Sequence, residues 1–457
     1  MTGFTTARNF EISVSTTPVA DLSDNRDFAG RATREEDVAT TSSHHLALET
    51  KKTGITRTTV LVVKSFLGGA FLFLPHAVMK GGVVLSLCTL AVAFCLALYC
   101  IQLLCECCEP GVRETYEALG EAAYGWWGRF TIEMCVILSQ LAFCTINAVV
   151  VAGNARDVVW TLSDCSPDYH WQVTTILWFL LLFYIPVSLI RHMKHLAPLM
   201  LVGNVGTVAG VVLLIVAVIV VGSTQHATSV PLANWGNWPL MIGTSVFMWE
   251  GGGLILPIRS SATRKAQNIF PLVLTASLTG LLILYIGYCV LCNVVLGENL
   301  KVVILSNLPA GVLGLTVQSV FALAVMATYP LLLFPAATIL EERLSAVMKI
   351  SHGCSFRLFS GGLRCGLVAL TVVVATVGLR QLDSFVALVG SLCGAPLAFL
   401  FPALLHVRLI KEKSLRRSLF DWVIIVGSTA IVAFNLYWSV ATWHGTDDFP
   451  SRCNGGI

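Results

Sequence analysis

In this 457-residue chain, the side chains best able to do chemistry are ionisable groups set inside apolar runs. Lys64 lies in LVVKSFLGGAFLFLP and Glu250 in FMWEGGGLILP, each just ahead of a glycine cluster and a proline, and His76 follows the first of those prolines. A charge inside a membrane span costs several kcal/mol, so such a residue marks a pathway, a relay or a buried pair. If the two segments meet, Lys64 and Glu250 form either a permanent ion pair or a pair whose charge state changes as Glu250 takes up a proton; the alternative is a lysine that snorkels inward. An unperturbed imidazole titrates near neutrality, so His76 at the outer end of its span reads either as a pH sensor or as an ordinary interfacial residue. Lys64, Glu250 and His76 are therefore the candidate coupling residues. Glu133 sits near the inner end of another apolar run, where a solvated or structural role is expected.

The glycines and prolines carry the second kind of chemistry. Glycine frees the backbone and proline removes a donor, so both segments should unwind in mid-membrane. Unwound backbone is tolerated there only if it is buried in protein or lines a wet cavity. Freed N–H groups at a half-helix N-terminus attract a carboxylate and freed carbonyls attract an ammonium group. A zwitterionic amino acid fits both. The candidate binding set is Ser65, Phe66, Gly68, Gly69 and Ala70 from the first segment and Phe247, Glu250, Gly251, Gly252 and Gly253 from the other. Gln140 and Asn147 are expected to wall the cavity, with Thr328 a further wall residue. The competing reading is that the glycines serve only close helix packing.

These residues need membrane-spanning elements to hold them. The chain is 56% hydrophobic and 12% charged, where a soluble domain carries about a quarter charged residues. At roughly 20 apolar residues per crossing, the runs 59–79, 82–104, 130–158, 172–190, 197–221, 238–258, 269–296, 312–340, 362–379, 384–406 and 420–443 predict eleven transmembrane helices. Residues 1–58 are polar and without apolar periodicity, and are expected to form a disordered cytosolic tail. Residues 59–443 form the membrane domain and 444–457 a short extracytosolic tail. Arg259, Arg264, Lys265, Arg343, Lys349, Arg408, Arg416 and Arg417 fall in connections that share a side with the N-terminus, against Lys80, Arg156, Lys301 and Arg380 on the other. The positive-inside rule makes the basic side cytosolic.

Runs 1 and 6 share the glycine-then-proline pattern and each opens a block of five. The expected architecture is an all-α membrane protein with a five-plus-five inverted repeat, broken helices 1 and 6, and a midplane site, as in secondary transporters. The basic residues encode topology, so nucleic acid is not an expected partner. No HExxH, Walker loop or GxSxG motif points to an enzyme or a cofactor. Cys105, Cys107 and Cys108 lie where a span leaves the membrane, which suits either S-palmitoylation or ordinary juxtamembrane residues. Cys289 and Cys292 read as helix-packing residues.

Four stretches resemble the amino acid/auxin permease family, especially its proton-coupled and fungal vacuolar branches: LVVKSFLGGAFLFLPHAVMKGG, TYEALGEAAYG, FMWEGGGLILPIRSS and YPLLLFPAATILEERL. The resemblance covers the chain from first span to last. It implies a leucine-transporter-like fold, an amino acid substrate, a proton or sodium as coupling ion, and a vacuolar or lysosomal membrane, with the plasma membrane as alternative. This chain has Leu61 where some proton-coupled members carry a histidine. The expected function is proton-coupled secondary transport of small neutral amino acids by alternating access. Sodium coupling, or a receptor that binds without transporting, is the alternative.

Overall fold

The structure, a computed structural model, describes residues 53–109, 112–163, 171–191, 193–222, 230–309, 311–349, 353–411 and 414–441. The tails expected at both ends lie outside the described residues except for 53–58, and there the first helix begins at Ile55 rather than 59. Among the described residues the regular elements are helices. The first apolar run is split into α1 (Ile55–Phe66) and α2 (Leu74–Gly81), joined through a 3-10 turn at Gly69–Leu72. Then come α3 (Val83–Cys107), α4 (Tyr116–Leu162), α5 (Val173–Ser188) and α6 (Met193–Gly222). The sixth run is likewise split, into α7 (Trp238–Met248) and α8 (Gly252–Ser261). They are followed by the short α9 (Arg264–Asn268), then α10 (Phe270–Leu296), α11 (Val312–Met348) and α12 (Cys354–Gly378). The chain continues through α13 (Leu382–Val389), a π-helical stretch, α14 (Phe401–Leu409) and α15 (Leu415–Ala441).

Nine helical stretches among the described residues are long and apolar enough to cross a bilayer, so this is a multi-pass membrane protein. The 16-residue α5 and the separate pieces α1 and α2 fall below that length. Two departures from regular helix have a local cause. Gly125 adopts φ 64 inside α4, kinking the 47-residue element between an amphipathic first part, capped by Thr115, and the span proper. Gly82 ends α2 at φ 84, and a Cβ there would lie 2.5 Å from the Ala233 backbone. That close approach lets residues 231–234 hydrogen bond along the α2–α3 corner.

Long helices form the frame. α11 packs against α4 and α6, and α12 against α4 and α5. A stripe of Gly203, Gly206 and Gly210 on α6 admits Thr328, Ala324 and Phe321 of α11 at distances that a Cβ would reduce to 2.8–2.9 Å. This is the small-residue packing by which membrane helices approach without a hydrophobic drive. Charged clusters tie the frame at its ends. Glu133 is 4% exposed and takes one 2.7 Å bond from Arg129 and another from Arg343 of α11. Its role is therefore structural, not solvated. Glu341 binds Arg364 at 2.6 Å, and Arg364 also donates to the Ser188 carbonyl at the end of α5. At the opposite end, Asp157 accepts from Arg156 at 2.9 Å and from Ser306 at 3.2 Å. Cys289 and Cys292 are free thiols buried in α10, in accord with the packing expectation, and Cys107 is also buried.

Against this frame lie α1, α2, α3, α7, α8 and α10, with α2 on α7 and α10, and α1 on α8 and α10. At the end with the basic loops, Thr53 pairs with Ala262 through backbone bonds to Ser261 and Thr263. The start of the first run is thus held to the end of the sixth.

Candidate functional site

The two helix breaks meet. α1 stops at Phe66, whose carbonyl accepts 3.0 Å bonds from the Gly68 N–H and from the Tyr285 hydroxyl of α10. A broken helix leaves carbonyls without intrahelical donors, and Tyr285 supplies one from across the bundle. The second break runs over Trp249, Glu250 and Gly251. The Phe66 ring closes directly on Gly251, where a Cβ would come within 2.5 Å of a ring carbon. Trp249, fully buried, packs its ring against Phe66, Phe94 and Tyr285 at centroid distances of 6.1, 5.4 and 5.7 Å.

The glycines divide into two kinds. Gly251 is a packing glycine, occupied by Phe66. Gly68, Gly252 and Gly253 face open space, with nothing within 4 Å of an added Cβ, and Gly252 does so while buried. Open space beside a buried glycine is what a backbone-lined cavity requires. Three buried polar atoms without partners gather at the second break: Trp249 Nε1, Glu250 Oε2 and Ser245 Oγ. Each such atom costs about 1–3 kcal/mol when left unsatisfied, and a polar ligand would satisfy it.

The remaining binding candidates are distributed as follows. Gly69 and Ala70 lie in the 3-10 turn. The Ser65 hydroxyl is committed to the Val62 carbonyl of its own helix at 2.7 Å. Phe247 is buried, its ring 4.8 Å from Phe143 of α4. Asn147 is buried and Gln140 half-buried on the same stretch of α4. Thr328 faces α6, and its hydroxyl donates to the Val325 carbonyl.

The coupling candidates are not brought together. Glu250 packs against the penultimate run, where a Cβ on Gly394 would lie 2.9 Å from its Oε2, and the Ser139 hydroxyl of α4 lies beside it. No ion pair joins it to Lys64 among the described residues. The reason is azimuth. The buried stripe of α1 is Thr58, Val62 and Phe66, and Lys64, two residues from both Val62 and Phe66, stands about 200° round the helix from each. His76 is buried at the far end of the bundle, its Nδ1 2.7 Å from Asp383 of α13.

Sequence reasoning missed a third irregular element. Between α13 and α14, Gly390–Gly394 and Pro396–Leu400 are π-helical, a geometry that often marks functional sites. Gly390 lies against the Gly243 carbonyl of α7, leaving no room for a Cβ, and Gly394 sits on Glu250. Its signal was legible as GSLCGAP, with glycines four apart followed by proline.

Two discontinuous helices meeting at the centre of a multi-pass bundle define a class, and the fold agrees with it. The structure superposes on the inward-facing conformation of Mhp1 with a TM-score of 0.55 over 88% of this chain and 95% of that one, at 12% identity. The shared fold is the leucine-transporter architecture. The chain belongs to the transmembrane amino acid transporter protein family, whose pattern matches residues 51–441. It is 30% identical over 379 residues, 83% of its length, to vacuolar amino acid transporter 3 of Schizosaccharomyces pombe. It is 31% identical over 399 residues, 86% of its length, to vacuolar amino acid transporter 3 of Saccharomyces cerevisiae. The chain spans 57% of the length of each of these relatives.

Proposed function

We propose that the protein is a proton-coupled secondary transporter that moves small neutral amino acids across a vacuolar or lysosomal membrane by alternating access. The observation that carries this reading is the meeting of the two breaks, with open glycines and an unpartnered Glu250 oxygen at one place. Backbone groups around Gly68 and Gly252 would hold the two charged ends of an amino acid. The absence of bulk at Gly252 and the aromatic walls of Phe66, Phe247 and Trp249 favour small apolar side chains. Glu250 is the proposed proton carrier: the residue is half-buried, its Oε2 is shut from solvent without a partner, and a carboxyl so placed with no cation beside it among the described residues is neutralised most simply by a proton. His76 with Asp383 is the proposed second ionisable element, at the extracytosolic end.

In this reading α1–α2 is one broken span and α5 a short one, giving eleven, arranged as two inverted blocks of five with α15 added. The vacuolar membrane follows from the names of the relatives, and the orientation from the basic loops. Uptake of an amino acid panel into proteoliposomes, with pH and sodium gradients imposed separately, tests the function. Accumulation under the pH gradient alone supports it. Accumulation under sodium alone, or saturable binding without accumulation, contradicts it. Tags at the two ends, probed by protease from one side, test the orientation, and equal accessibility would contradict the odd number of spans.

A further inference from the structure

At the end of the bundle with the basic loops, a groove of about 370 Å3 opens between α3 and α15. It is lined by Tyr99, Arg416, Arg417, Leu419, Phe420 and Val423. Its floor is built: the Tyr99 and Phe420 rings meet edge-on at 5.0 Å. Leu419 and Val423 are 65% and 59% exposed, and α15 is the least buried of the nine long apolar stretches. The groove therefore opens outward, away from the two helix breaks.

Its two ends differ in chemistry. From Arg416 to Val423 the helix rises about 10 Å, passing from guanidinium to purely apolar side chains. Arg417 donates to Glu106 at 3.3 Å, whereas exposed Arg416 has no ion pair among the described residues. The exposed charges at the mouth are Arg416, Arg417 and Glu106, the last also 3.5 Å from His406, while Asp421, one turn further along α15, is fully buried against His406 at 2.7 Å. The exposed balance is therefore positive, directly above apolar surface. We infer that this groove binds an anionic phospholipid of the cytosolic leaflet, with the phosphate on Arg416 and Arg417 and the start of an acyl chain along Leu419, Phe420 and Val423.

A free phosphate would use only the arginines and leave the apolar length uncovered, and phosphatidylcholine offers no net charge. Basic pockets between helices on the cytosolic side suit anionic headgroups, each arginine near the surface contributing about 1 kcal/mol, or about fivefold in affinity. The inference rests on the orientation proposed above and is independent of substrate and coupling ion.

The test is native mass spectrometry of the full chain released from nanodiscs of phosphatidylcholine with or without phosphatidylinositol, read together with the thermal midpoint in each. Wild type is expected to retain phosphatidylinositol and to melt higher in its presence. Arg416→Gln with Arg417→Gln should weaken retention about thirtyfold. Val423→Trp should also weaken it, with both arginines intact, because the indole fills the groove. Arg264→Gln with Lys265→Gln, the same charge change in another basic loop, should leave it unchanged. Equal loss in the Arg264/Lys265 variant would make the effect a diffuse surface charge and overturn the site. So would undiminished retention by the Arg416/Arg417 variant or by Val423→Trp, or equal thermal protection by inorganic phosphate alone.

Discussion

The glycines at the two breaks do different jobs, and single methyl groups separate them. At Gly251 an alanine meets the Phe66 ring at 2.5 Å, and overpacking of this kind costs about 1–3 kcal/mol. Gly251→Ala should lower the thermal midpoint, and in a double-mutant cycle Phe66→Ala should recover part of that loss. At Gly252 an alanine meets nothing within 4 Å, so Gly252→Ala should keep the midpoint and raise the KM for amino acid uptake. An unchanged KM would mean that the open space is not the binding cavity. Lys64 offers a third case. Since it stands off the buried stripe of α1 and pairs with no carboxylate among the described residues, Lys64→Met should leave the pH dependence of uptake where it was. A displaced pH profile would restore the Lys64–Glu250 pair that the sequence suggested.

At the scale of elements, the third irregular helix supports the other two. The π-helical stretch brings Gly390 onto the Gly243 carbonyl and Gly394 onto Glu250, so the wall behind the proposed proton carrier is backbone. Gly390→Ala should push α7 away from this wall, lowering the thermal midpoint by an amount equivalent to about 1–3 kcal/mol; a stable variant with normal uptake would show that the close approach is dispensable. Much of this layer was legible beforehand. Glycine followed by proline in two apolar runs named both broken helices, since those residues alter backbone geometry wherever they stand. Hydropathy located the runs because burial in lipid demands it. What it could not give was azimuth and partner. Depth set Lys64 and Glu250 at similar heights, while the Thr58, Val62 and Phe66 stripe turned Lys64 away. For Glu133 a solvated and a structural role stayed open: its partner Arg129 lies one turn away, but Arg343, which decides for the structural role, lies 210 residues along the chain, and no local pattern reports a contact of that range. The π-helical stretch was readable in GSLCGAP but lay inside an apolar run that satisfied the expectation of a plain span.

For the whole molecule, the frame of α4, α5, α11 and α12 is tied by buried ion pairs, while the split helices are held at their two ends by contacts of another kind. Backbone bonds at Thr53 close one end, and the His76–Asp383 pair lies at the other. Alternating access asks that one end open while the other stays shut, and the proposed proton site at Glu250 would link that change to a gradient. The central claim is that Glu250 carries the proton. Its direct test is uptake into proteoliposomes containing wild type or Glu250→Gln, with a pH gradient as the only driving force and exchange at equal pH as the control. Glu250→Gln preserves shape and removes the ionisable group, so the account predicts that exchange persists while accumulation is lost. Accumulation of substrate against its gradient by Glu250→Gln, under the pH gradient alone, would contradict it.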